Sequence, residues 1–256
     1  MKIIHVGIIS TGTIIVLGIA MVIPAFTQHK PGPSIPSVML SFSIMNTQGE
    51  ISGWCRSLSS VLEKHDVRAT VFVSGLIAES NPECVNSFAP NVDIGSQTYG
   101  YVDLTSISDY SEAIEQVEKG KNVVDSVGGI DSRLFRAPYG KTDENIYSLL
   151  SHKGIIADFS YVSQYNRYEN NQFMRYDLKT LTGDTDGLRL FSLVSQDDDA
   201  VRPYDPVPIA IQFDNSMDID QVDRFISELK SDYQNDIQFI NASDMVGLDL
   251  TVRRGV

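Results

Sequence analysis

The chain has 256 residues, 42% of them hydrophobic and 21% charged. Those proportions suit a globular protein and exclude a disordered chain, a collagen and a coiled coil. Lys and Arg number 20 against 33 Asp and Glu, a formal charge of −13. Within the first 36 residues only Lys2 and Lys30 are charged, which leaves 18 cations and 33 acids, a balance of −15, for the rest. So acidic a domain repels phosphate backbones and disfavours a nucleic-acid partner.

Residues 6–26 carry no charge and are dominated by Ile, Val, Leu, Gly, Ala and Met. About 20 such residues suffice to cross a ~30 Å hydrocarbon core as a helix. The competing reading is a cleaved signal peptide, but Ile23-Pro24-Ala25 places Ile where a cleavage site wants a small residue. An uncleaved transmembrane helix is therefore the expectation. Lys2 on the near side, with only Lys30 beyond, directs the N-terminus to the cytoplasm and the acidic domain to the outside. Pro31, Pro33 and Pro36, with Gly32 and Ser34, form a stiff spacer. Residues 1–36 are thus expected to be anchor and spacer, and residues 37–256 one domain on the extracytoplasmic side of the cell membrane.

In the domain, short apolar runs alternate with amphipathic stretches. Strands are expected at 38–42, 69–73, 92–95, 134–136, 155–157, 207–212 and 237–239. Helices are expected at 51–64, where Leu58, Val61 and Leu62 share a face, and from the Asp109 cap with Glu112 to about 127, stopped by Gly128-Gly129. Two more are expected at 143–152 and 219–229. Residues 160–206 read as loop-rich, with one strand at 188–194. Repeated strand–helix alternation without a glycine-rich phosphate loop predicts a single parallel α/β domain, a barrel or a doubly wound sheet. In either, the working residues stand at the C-terminal ends of the strands.

Those strand ends carry specific wording. Ser41-Phe42-Ser43-Ile44-Met45 follows the first strand, Gln97-Thr98-Tyr99-Gly100-Tyr101 the third, and Arg136-Ala137-Pro138-Tyr139-Gly140 the fourth. Together with the run from Leu62 to Val73, they resemble the NodB-homology polysaccharide deacetylases, over roughly residues 37 to 246. The resemblance implies a distorted (β/α)7 barrel and metal-dependent removal of acetyl groups from carbohydrate, with zinc or another divalent metal. It also implies that the five working positions are altered. Ser43 stands at the position of the catalytic base and Phe213 at that of the acid. Ile44, Gln97 and Tyr101 stand at those of the metal ligands. Arg136, Pro138 and Tyr139 retain the third motif, and Asp158, ending the next strand, is the candidate acid to pair with Arg136. The implied protein is a degenerate, non-catalytic member that holds no metal and binds a cell-envelope polysaccharide. The alternatives are an active hydrolase with another site, or a scaffold for a protein partner.

Other constellations read more plainly. Cys55 and Cys84 are too few for a disulfide scaffold or a zinc site; outside the cytoplasm they would pair, or else stay as buried thiols. His65 and His152 sit at helix C-terminal ends, where a cation suits the helix dipole. Asp197-Asp198-Asp199 with Asp205 reads as a solvated loop before it reads as a calcium site. Tyr161, Tyr165, Tyr168, Tyr176 and Tyr204 pack the long loop or rim a sugar cleft.

Overall fold

The computed structural model describes residues 37–45, 50–160, 174–181, 189–195, 209–233, 236–246 and 251–253. The apolar segment and spacer, the Asp197–Asp199 run and Tyr161, Tyr165, Tyr168 and Tyr204 lie outside these residues. Among the described residues no helix is long and apolar enough to cross a membrane.

The elements run β1 (Ser37–Ile44), α1 (Ile51–Lys64), β2 (Ala69–Val73), α2 (Gly75–Ser80), α3 (Glu83–Asn86), β3 (Val92–Ser96), α4 (Tyr110–Gly128), β4 (Ile130–Ser132), β5 (Leu134–Phe135), α5 (Glu144–His152), β6 (Ala157–Asp158), β7 (Met174–Leu181), β8 (Arg189–Ser195), β9 (Ile209–Asp214), α6 (Ile219–Asp232), β10 (Gln238–Phe239), α7 (Ala242–Val246) and β11 (Thr251–Arg253). The main sheet has the order β10-β1-β2-β3-β5-β6-β8-β7-β9. Because β9 also pairs with β1, over Val38↔Ile209 to Ser43↔Asp214, the sheet curls back on its first strand. Its pairings are parallel except at β7, which runs antiparallel to both β8 and β9. β7 departs from the expected loop between residues 160 and 206.

The period-2 pattern of the strands sorts their side chains onto two faces. Val38, Leu40, Phe42 and Ile44 of β1 pack outward with Cys55, Leu58 and Leu62 of α1 and with Val222, Ile226 and Leu229 of α6. Met39, Phe72, Leu134, Ala157, Phe159 and Ala210 instead share the inner core with Ile240, Ala242 and Val246. The segment leading into α7 thus plugs the end where the strands begin. It is tied there by Ala242 N–H donating to Thr70 Oγ1 at 2.9 Å and Ser243 N–H donating to Asp93 at 2.7 Å.

Local signals bound α4 where the sequence placed it, whereas α6 runs to Asp232, three residues past its expected end at 229. Asp109 accepts the Ser111 N–H, and Gly129 closes α4 with φ of 58°. β6 begins later than expected, at Ala157, because Gly154 takes a φ of 78° and spends the next residues turning. Cys55 and Cys84 form a disulfide linking α1 to α3, both cysteines being fully buried. Its closed loop of roughly 30 residues contributes about 3.5 kcal/mol in the chain-entropy account.

Candidate functional site

β1 ends with Ser43 turned inward, in alternation with outward Phe42 and Ile44. The strand end is clamped to β9: Met45 N–H donates to Asn215 Oδ1 at 2.7 Å, and Asn215 Nδ2 donates to Met45 O at 3.2 Å.

Beyond β3 the chain makes a tight turn. Gln97 N–H donates to Val73 O, Tyr99 N–H to Gln116 O, and Gly100 N–H to Gln116 Oε1. Val102 N–H is taken by the Thr98 hydroxyl at 2.9 Å. The turn lies directly on α4, where a Cβ at Gly120 would stand 2.3 Å from Gln97 O and 2.9 Å from Tyr99 N. Tyr101 leaves the turn with φ of 56°, and Tyr139, after β5, with φ of 61°. Bulky residues seldom adopt this left-handed backbone, and such strain gathers at working sites. The two rings meet edge to face, centroids 5.4 Å apart, and Tyr139 remains 52% exposed.

Between these elements lies a small cavity of about 10 Å³, lined by Ser43, Gln97, Tyr101, Arg136, Tyr139, Gln212 and Ser160, among others. Arg136, 3% exposed, reaches across it. Its Nη1 donates to Ser43 Oγ at 3.3 Å, its Nε to Phe159 O at 3.2 Å, and its guanidinium lies 4.2 Å from the Phe72 ring centroid. Gln97 is 1% exposed, yet neither its Oε1 nor its Nε2 has a hydrogen-bond partner, and Gln212 Oε1 and Ser41 Oγ also lack one.

Asp158 accepts both the backbone N–H and the hydroxyl of Ser160 on Oδ1. The Ser160 Oγ in turn receives the Ala137 N–H at 2.6 Å, so the carboxyl supports the loop carrying Tyr139. Burial pushes Asp158 up to about 7, against the opposing effects of the Ser160 bonds and, last, the Arg136 charge. Arg136 thus acts on Asp158 through its charge, as the expected pairing requires, while hydrogen bonds run from Arg136 to Ser43 and Phe159 O and from Ser160 to Asp158.

The structure brings Ser43, Gln97, Tyr101, Arg136 and Tyr139 together and buries Pro138 beside them. It places Ile44 and Phe213 elsewhere. Ile44 is fully buried in the outer layer. Phe213 stacks on Phe42 at 4.9 Å and meets Phe225 of α6 edge-on at 5.6 Å. The register Phe42↔Phe213 forces this, because paired neighbours in a sheet share a face. Gln212, not Phe213, is the β9 side chain at the cavity; its alternation with Ala210 was the available signal. Ser160 also lines the cavity; the run Asp158-Phe159-Ser160 at this strand end is only a partial match to the family's fourth motif.

Zinc takes thiolate, imidazole and carboxylate ligands. Two neutral amides, two phenols and two hydroxyls beside a guanidinium do not fit a divalent metal. Among the described residues no group of three or more His, Cys, Asp or Glu is placed to hold one.

The family described as Polysaccharide deacetylase matches residues 30–157, half of the chain. A peptidoglycan-N-acetylglucosamine deacetylase of Bacillus cereus is 32% identical over 85 residues, which are 33% of this chain and 30% of that protein. The chain therefore spans about a third of the length of the curated relatives it matches. Among solved structures, a Mycobacterium smegmatis protein described as a polysaccharide deacetylase superposes with a TM-score of 0.61 at 16% identity, covering 88% of this chain and 96% of that one. A CE4 family pseudoenzyme from Bacillus anthracis superposes with a TM-score of 0.55 at 14% identity, covering 84% and 66%. A mutant of it is described as having restored enzymatic activity. With the family matched in sequence and its fold in structure, the chain belongs to the polysaccharide deacetylase family.

Proposed function

We propose that this protein is a membrane-anchored, extracytoplasmic member of the family that does not perform metal-assisted deacetylation and instead binds a cell-envelope glycan in the same cleft. The observation that carries the reading is the cavity itself: Ser43, Gln97, Gln212 and Tyr101 around Arg136, with no carboxylate or imidazole lining it among the described residues. A metal-bound water has a pKa of about 7 against about 15.7 in bulk, a difference worth about 12 kcal/mol. Among the described residues nothing in this cavity replaces it: Ser43 accepts from Arg136, and no carboxylate or imidazole lines the cavity beside it.

Other features agree. Tyr101 and Tyr139 offer an aromatic lip against which a sugar ring can stack. The Cys55–Cys84 disulfide fits an oxidising compartment outside the cytoplasm, and the uncharged run at 6–26 fits an anchor. The curled sheet reads as the distorted (β/α)7 barrel with β7 inserted between β8 and β9.

Metal analysis of the purified full chain, beside an acetate-release assay on acetylated chito-oligosaccharides, tests the proposal. The expected result is substoichiometric zinc and no acetate above the blank. Stoichiometric zinc with steady acetate release would overturn it.

A further inference from the structure

We infer that the cavity is a built site for one neutral hydroxyl: a single water in the unliganded protein, replaced by a sugar hydroxyl in the complex. The second half rests on the glycan-binding reading above; the first does not.

The starting point is Gln97. Its amide is buried to 1% exposure with donor and acceptor both unmet, and Gln212 Oε1 is unmet on the facing strand. A buried polar atom without a partner costs about 1–3 kcal/mol, so a dry cavity is a poor account of these atoms. The cavity, about 10 Å³, has the room of one water.

Charge selects the occupant's class. A cation would face the Arg136 guanidinium, and among the described residues no carboxylate lines the cavity to ligate it. An anion would face the unmet carbonyl oxygens of Gln97 and Gln212. A hydroxyl both donates and accepts, and matches the mixed set. Size selects further: an acetamido group has about four heavy atoms and enters only if Tyr101 and Tyr139 part, whereas a hydroxyl replaces the water atom for atom. The cleft therefore prefers a sugar bearing a free hydroxyl where N-acetylated sugars carry the amide.

A crystal structure of the full chain at about 1.5 Å resolution, with NMR detection of transfer from a bound water to the Gln97 side-chain amide, tests the first half. The expected density is one oxygen about 2.8 Å from Gln97 and Gln212, with an amide–water cross-peak that disappears in Gln97→Met. A dry cavity without the cross-peak, or density at metal distances near 2.1 Å, would overturn it. Soaking with cellotriose and chitotriose, which differ in hydroxyl against acetamido at each C2, tests the second. A cellotriose hydroxyl on the water position supports the inference. An acetamido group seated there, with Tyr101 displaced, overturns it. Water present with neither sugar bound upholds the water site and overturns the glycan-binding reading alone.

Discussion

Asp93 and Asp158 are buried in the same curled sheet, at 3% and 1% exposure, but at opposite ends of it. Asp93 stands near the start of β3 and uses both carboxyl oxygens: Oδ2 accepts the Ser243 N–H at 2.7 Å and Oδ1 the Ser243 hydroxyl at 3.0 Å. Asp158 ends β6, places both its bonds from Ser160 on Oδ1, and leaves Oδ2 without a hydrogen-bond partner. Around Asp93 the polar groups close the barrel; the unmet atoms of Gln97 and Gln212 belong to the cavity that Ser160, the partner of Asp158, also lines. Natural cores satisfy their buried polar atoms, and the exceptions mark sites. The closed end is built for stability, and the open end keeps the imprint of a cleft.

The sharpest way to break this comparison is pH. Burial raises Asp158 to about 7, above its unfolded value of about 3.9. The folded state therefore holds this proton more tightly than the unfolded one. Its stabilising contribution is complete below about pH 4 and is lost as pH rises through about 7. Converted at 1.36 kcal/mol per unit, the loss is on the order of 4 kcal/mol. Asp158→Asn keeps an acceptor for Ser160 and removes the titration. Denaturant midpoints should match wild type at pH 4 and exceed it at pH 8; parallel curves across that range would show that Asp158 stays ionised at little cost.

At the other end, Asp93→Ala strips partners from a buried N–H and a buried hydroxyl of Ser243. The expected loss is about 3 kcal/mol, read as a lower unfolding midpoint. A loss below about 1 kcal/mol would mean that α7 is not held by this residue and that the two ends are more alike than their hydrogen bonds imply.

Much of this arrangement was legible in the sequence, because strands, helices and caps are local. α1 runs over Ile51–Lys64 as its apolar spacing required, and the strand ends carried the family wording. β7 was legible in principle: Met174, Tyr176, Leu178 and Thr180 alternate with Arg175, Asp177 and Lys179. That period was hidden in a stretch dense with Asp, Ser and Asn. What the chain could not reveal was which face each residue takes once strands distant in sequence pair. The family wording sets Phe213 at the position of the acid, but its register with Phe42 turns it outward and Gln212 inward. Asp158 was recognised as a strand-end acid, but its attachment to Ser160 depends on how the chain turns after β6.

Gly120 is the plainest case of a residue whose reason is tertiary, and it gives the smallest and most local test. In sequence it is an isolated glycine between Lys119 and Lys121 in a helix, where Gly→Ala ordinarily stabilises by about 1 kcal/mol. In the fold its missing side chain is what lets the Gln97 turn rest on α4. A methyl there meets three backbone atoms, Gln97 O at 2.3 Å, Tyr99 N at 2.9 Å and the Thr98 carbonyl carbon at 3.0 Å. Backbone cannot swing aside as a side chain does, so the turn must lift. Overpacking of this kind costs about 1–3 kcal/mol, which after the helix gain leaves a net loss of about 0–2 kcal/mol. The same lift moves Gln97 and Tyr101, so the backbone amide signals of residues 97–102 should shift in Gly120→Ala while those around Asp93 and Ser243 stay in place. If Gly120→Ala instead raises the melting temperature and leaves residues 97–102 unmoved, the turn is not seated on α4, and the contrast between a closed structural end and a finely positioned cleft fails at the cleft.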